Sequence, residues 1–112
     1  MDERIEKQTV FKRADILARK VLAVSKSWPA QEKAVYNEIR RNALLLPGMT
    51  AAALLRGDDE AVRTGLERAL ETACNVEYLV GLAKAQAPDE LRSLANEARE
   101  ALTDHIAAMK LG

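Results

Sequence analysis

An all-α fold is what this sequence predicts: an antiparallel up-down-up-down four-helix bundle that assembles as a homo-oligomer. Three observations carry the helical part. The 112 residues are rich in Ala, Leu, Glu and Arg and include one Trp, two Tyr and one Phe, a composition that favours helices over the aromatic and β-branched strands of a β-sandwich. Apolar residues recur at spacings of three and four through four successive segments. The breaks between segments are only a few residues long, so consecutive helices must fold back on one another. At the usual domain size the chain is a single domain, residues 1–112.

The first segment runs from about Ile5 to Lys26. Phe11, Ala14, Ala18, Val21 and Leu22 fall on one side, while Lys12, Arg19 and Lys26 recur on the other with Arg13 and Lys20 beside them. Ser27-Trp28-Pro29 interrupts this pattern, and Pro29 suits the first turn of a second helix, where backbone N–H groups lack intrahelical partners. That helix extends to about Leu55. Inside it, Pro47 cannot bond the carbonyl of Ala43 and its ring pushes against that carbonyl, which predicts a kink or a short break at Pro47-Gly48. Gly57 is placed to end the helix in the left-handed conformation, and Asp58 or Asp59 to cap the next. The third segment, about Asp59 to Gln86, places Val62, Leu66, Ala69, Ala73, Val76, Val80 and Ala83 in steps of four and three, the repeat of a helix packed lengthwise. Pro88 opens the fourth, Asp89 and Glu90 favour its dipole, and Leu91, Leu94, Ala98, Ala101, Leu102 and Met109 form its inner stripe.

The second segment has more apolar surface than a bundle requires. About three positions in seven suffice for an inward face, yet ten of the fourteen residues from Asn42 to Leu55 are apolar and none is charged. At 100° per residue the core side takes Val35, Ile39, Ala43, Leu46 and Ala53, which leaves Leu44, Leu45 and Leu55 pointing elsewhere. Another copy of the chain is the simplest cover for them. The alternative is that tilt and a kink at Pro47 bring those leucines inside.

The residues Phe11, Ser27-Trp28-Pro29-Ala30-Gln31-Glu32, Glu38-Ile39-Arg40-Arg41-Asn42-Ala43 and Leu46-Pro47, with Gly65-Leu66, Ala69, Glu77 and Leu79 behind them, form a pattern. It resembles the four-helix-bundle family of 23S rRNA-intervening sequence proteins, to which the accessory variability proteins of diversity-generating retroelements are related. Where the family often shows Asn-Ile-Ala-Glu-Gly after the proline, this chain reads Met49-Thr50-Ala51-Ala52-Ala53 and lacks the polar pair. The resemblance implies a small helical bundle that assembles into a homo-oligomer, typically a pentameric ring. It also implies that RNA or a reverse transcriptase is a partner to consider, although the retroelement relatives are much more basic. It implies no activity.

The inventory of reactive side chains argues against catalysis. One His (His105) and one Cys (Cys74) cannot supply a metal cluster or a His/Cys pair, so no catalytic, cofactor-binding or metal-binding residue is predicted. His105 reads as a boundary residue near the inner stripe, and Cys74 as a small packing residue. Glu97 and Glu100 lack the histidines that a di-iron bundle requires. Arg56-Gly57-Asp58 looks like an adhesion tripeptide but reads here as a helix end and a cap. The expected function is therefore a non-enzymatic interaction scaffold. The alternative is an RNA-binding accessory protein of a ribonucleoprotein or reverse transcriptase, which would use Lys12, Arg13, Arg19, Lys20, Arg40 and Arg41 against phosphates. Against it, no aromatic lies among those charges in the sequence to stack a base, and Arg40 and Arg41 have Glu38 or an acid of another helix as ready partners.

Lys and Arg number 17, as do Asp and Glu, but they are unevenly placed. Residues 1–56 carry 11 cations and 6 anions, a balance of +5, and residues 57–112 carry 6 and 11, a balance of −5. A basic half and an acidic half can pair within one bundle or between copies. The first thirty residues are charged throughout and the lone cysteine cannot close an internal disulfide, so a cytoplasmic location is expected. The longest uncharged run, Asn42 to Leu55, is 14 residues, short of the ~20 that span a bilayer, so no membrane association is expected.

Overall fold

The computed structural model describes residues 1–30, 33–83 and 88–109. Among them every regular element is a helix: α1 (Glu3–Glu6), α2 (Thr9–Val24), a 3₁₀ turn (Ser25–Ser27), α3 (Lys33–Leu54), α4 (Asp59–Leu82) and α5 (Pro88–Ala108). The four long helices pack in a closed cycle, α3 against α2 and α4, and α5 against α4 and α2. The resulting body measures 48 × 25 × 20 Å.

Leu17, Ile39, Leu46, Leu66, Leu91 and Leu102 are fully buried, interleaved with Ala14, Ala43, Ala69, Ala73 and Ala95. Each large side chain stabilises the fold by about 1.5–3 kcal/mol, and the alanines let the helix axes approach. The α3 and α4 backbones come close together where Gly65 faces Ala53. The predicted inner stripes of the third and fourth segments line this core: Leu66, Ala69, Ala73, Val76, Val80 and Ala83 are buried and Val62 half-buried on one, while Leu91, Ala98 and Leu102 are buried and Leu94, Ala101 and Met109 half-buried on the other.

Several boundaries differ from the sequence reading, each for a local reason. The first segment is two helices, because the chain breaks at Lys7-Gln8. Asp2 caps α1 by accepting a bond from the Arg4 N–H, and Gln8 is extended as the N-cap of α2. The break lets Ile5 turn back onto Phe11, Ala51 and Leu54, a small apolar cluster apart from the main core. Leu22 is not on the inner side but 51% exposed, because Val10, Ala14, Leu17 and Val21 occupy that side and Leu22 lies one position, 100°, beyond it.

Pro29 does not sit inside a helix; Trp28 before it is extended, as a residue preceding proline prefers, and the described part of α3 begins at Lys33. Of the kink or short break expected at Pro47, the break does not occur: α3 continues through it to Leu54. On either side, Asn42 Nδ2 donates to the Glu38 carbonyl at 2.7 Å and Thr50 Oγ1 to the Leu46 carbonyl at 2.9 Å, bonds that attach buried polar side chains to the helix itself. Gly57 does not adopt a left-handed conformation. The end of α3 tightens instead, with the Arg56 N–H donating to the Ala53 carbonyl at 3.2 Å. Asp58, of the two candidates, caps α4, its Oδ1 accepting from the Ala61 N–H at 2.9 Å. The α4 helix closes at Ala83, whose N–H bonds the Leu79 carbonyl; the predicted end at Gln86 lies outside the described residues. No helix among the described residues is long and apolar enough to cross a membrane.

Candidate functional site

The inward face of α3 is taken by Tyr36, Ile39, Ala43, Leu46, Thr50 and Ala53, all buried. At 100° per residue the opposite face then falls to Leu44 on one flank, Leu45 on the other, Gly48 and Ala52 between them, and Leu55 at the end. Leu44 is 43% exposed, Leu45 47% and Leu55 58%. Gly48 has open space where a side chain would be, and Ala52 is exposed. The kink that would have turned these leucines inward is therefore not the solution within one chain. Covering the exposed part of each leucine is worth about 1 kcal/mol, so the strip is the largest unused apolar resource on α3.

Charges bracket this strip without entering it. Below it, Arg41 Nη2 meets Glu38 Oε2 at 2.9 Å. The Arg41 hydrogen bond, then its charge, and a smaller contribution from Asn42 hold the Glu38 carboxyl below its ordinary value, and Glu38 in turn raises Arg41. Beyond the strip, Arg56 is exposed. Beside Leu55, a hollow of ≈ 330 Å³ is lined by Arg4, Ile5, Gln8 and Leu54, where α1 crosses the end of α3.

The six cations considered for RNA are divided between α2 and α3, and most are engaged. Arg13 meets Glu97 at 3.4 Å and Lys20 meets Glu90 at 3.0 Å, both bridging α2 to α5. Arg19 bonds Asp15 one turn away at 2.9 Å, and Arg41 holds Glu38. The basic and acidic halves thus spend part of their asymmetry on each other inside one chain. Lys12 is exposed and has no carboxylate partner among the described residues. Arg40 differs from the rest: its guanidinium lies 5.8 Å from the Trp28 ring centroid and donates to Asn37 Oδ1 at 3.3 Å and to the Ser25 carbonyl at 3.4 Å. The sequence reading placed no aromatic among these charges. Folding brings Trp28 to Arg40, with Tyr36 5.0 Å from Trp28, a juxtaposition of residues twelve apart that no local spacing signals. Tyr36 is buried, so this is a packed cation–π contact rather than an open stacking platform.

Cys74 is exposed rather than packed in the core. Ala73 occupies the inward position, and Cys74 is turned 100° away from it. It lies in a groove of ≈ 490 Å³ between α4 and α5, with Glu77, Tyr78, Gly81, Leu82, Arg92 and Arg99. Tyr78 is 64% exposed and Leu82 54%. Sequence reasoning passed over this surface, although Leu70, Cys74, Tyr78 and Leu82 recur every four residues beside the core stripe. Arg99 Nε donates to Glu77 Oε2 at 2.9 Å, and this bond raises the Arg99 pKa. His105 is half-buried in the last turn of α5. Among the described residues no three His, Cys, Asp or Glu side chains gather as a metal site would require. Compared with known proteins, the chain matches no family model, and no curated protein matches it at a significant level.

Proposed function

We propose that this protein is a non-enzymatic scaffold that works by self-association, through the outward face of α3. The observation that carries the proposal is the exposure of Leu44, Leu45 and Leu55 along an uncharged strip with Gly48 and Ala52 between them. A helix face with small residues between leucines admits a second helix at close range. The proposal takes the cyclic packing of α2 to α5 and their short connections as an up-down-up-down bundle, located in the cytoplasm. A five-subunit ring rests on the resemblance to the 23S rRNA-intervening sequence proteins. RNA binding has less support, since four of its six cations hold carboxylates of their own chain.

The test is a comparison of wild type with Leu44→Glu by size-exclusion chromatography with light scattering, beside helix content by circular dichroism. The proposal expects an oligomer for wild type and a folded monomer for the variant. A variant that loses its helix content would place Leu44 in the fold instead of the interface.

A further inference from the structure

We infer that α1 is a strap folded over the end of the α3 strip, and that it is released when copies associate by swinging into line with α2. This rests on the self-association reading and adds how that association is held back.

One side chain holds α1 in place. Ile5 is buried with Phe11 and Ala51, against which Leu54 packs, whereas Glu3, Arg4 and Glu6 are exposed. The polar bonds of residues 2–8 are local: Arg4 to Asp2, the backbone turn of α1 itself, and the Lys12 N–H donating to the Gln8 carbonyl. None reaches α3 among the described residues. A single helical turn is not stable alone, so α1 keeps its place through the Ile5 contact.

The bend at Lys7-Gln8 leaves a competing conformation close at hand. Neither residue breaks helices, Gln8 is extended, and no side chain caps α2, so the N–H groups of Thr9, Val10 and Phe11 lack helical partners. A straight chain would offer them the carbonyls of Ile5, Glu6 and Lys7. It would also turn Ile5 outward, since at 100° per residue Ile5 falls between Lys12 and Ile16, both exposed. The chain can bury Ile5 or continue α2, but not both. Two exclusive arrangements of this kind are what a binding partner shifts.

What α1 covers belongs to the strip. Ala51 stands two turns beyond Leu44 on one line of α3, and Leu55 lines the same hollow as Arg4, Ile5 and Gln8. Release uncovers Phe11, Ala51 and Leu54 beside Leu55, so a second copy finds a longer apolar contact on the released chain than on the strapped one. Association selects the released form, and the closed strap lowers the apparent affinity in proportion to the fraction of chains that are open.

Two substitutions push the strap in opposite directions. Ile5→Glu removes its hold. Thr9→Pro locks it: proline suits the first position of α2 and the extended Gln8 before it, but a straight helix would place it in the interior without the N–H that bonds Ile5. By sedimentation equilibrium, with helix content followed by circular dichroism, Ile5→Glu should raise the association constant by about tenfold and Thr9→Pro lower it by about tenfold. Equal association constants in wild type and both variants would overturn the inference and leave self-association standing. So would weaker association of a folded Ile5→Glu, which would make α1 part of the contact. If Ile5→Glu loses helix content beyond one turn, Thr9→Pro decides alone, and an association constant equal to or above that of wild type overturns the inference. If neither wild type nor Ile5→Glu assembles at any concentration, the self-association reading falls and the strap with it.

Discussion

The Cβ that Gly65 lacks would stand 2.6 Å from the Cβ of Ala53 and 3.0 Å from its Cα. Backbone cannot swing aside as a long side chain can, so Gly65→Ala must push α3 and α4 apart. Overpacking of this kind costs about 1–3 kcal/mol, against the roughly 1 kcal/mol that alanine returns in helix propensity. Urea denaturation should therefore show a net loss of about 1 kcal/mol, relieved when Ala53→Gly is added. Gly81→Ala, with open space at its site, should instead gain about 0.5–1 kcal/mol. Equal effects at the two positions would contradict the close crossing. A second residue-scale expectation concerns Glu38, whose carboxyl Arg41 holds below its ordinary value. The folded chain then binds this proton less readily than the unfolded one, so the contribution of the pair is complete above the ordinary carboxylate range and is lost as pH falls through the lowered folded value. Carboxyl chemical shifts followed against pH should give Glu38 a low midpoint that Arg41→Gln raises; a midpoint unmoved by the substitution would detach the shift from this pair. At this scale the sequence was readable where periodicity was strong and misleading at its margins. Leu22 and Cys74 each lie one position beyond a buried neighbour, and a face boundary cannot be drawn to within 100° from apolarity alone.

At the scale of elements, α3 carries the main surprise, a helix uninterrupted by an internal proline. Proline inside a helix forfeits one backbone bond and crowds the carbonyl a turn earlier, at a cost near ~3 kcal/mol in isolation. Packing of Ile39, Ala43, Leu46, Thr50 and Ala53 against the neighbouring helices holds the segment helical on both sides. Replacing Pro47 by Ala restores the lost bond, so Pro47→Ala should raise stability by about 1–3 kcal/mol in urea denaturation without changing helix content. A loss of stability would mean that the proline ring fits a shape the packing requires. Nothing in the sequence marks the break at Lys7-Gln8, since neither residue is a helix breaker. It follows from a tertiary contact, Ile5 on Phe11 and Ala51, which local patterns do not contain. The start of α4 was more legible because its signal is local, the Asp58 cap.

Across the whole molecule, the helical class and the core stripes were legible, because they depend on composition and a 3.6-residue period. The use of the charge asymmetry was not. Arg13–Glu97 and Lys20–Glu90 spend part of it between α2 and α5, at about 0–1 kcal/mol for each exposed pair. What remains is available to steer one copy toward another. Stopped-flow mixing should then show association slowing as salt rises, because the Debye length falls to about 8 Å at physiological ionic strength, while dissociation, governed by the leucine contacts, changes little. Association equally fast at all salt concentrations would confine the charge asymmetry to the single bundle.

Self-association through the α3 strip is the claim on which the functional reading depends, and the mass of the unmodified protein in solution tests it most directly. Sedimentation velocity across the micromolar range should return a multiple of the 12.3 kDa chain mass, with the fraction of assembled chains rising with concentration. A mass of 12.3 kDa at every concentration would leave Leu44, Leu45 and Leu55 exposed without a partner copy and contradict the account.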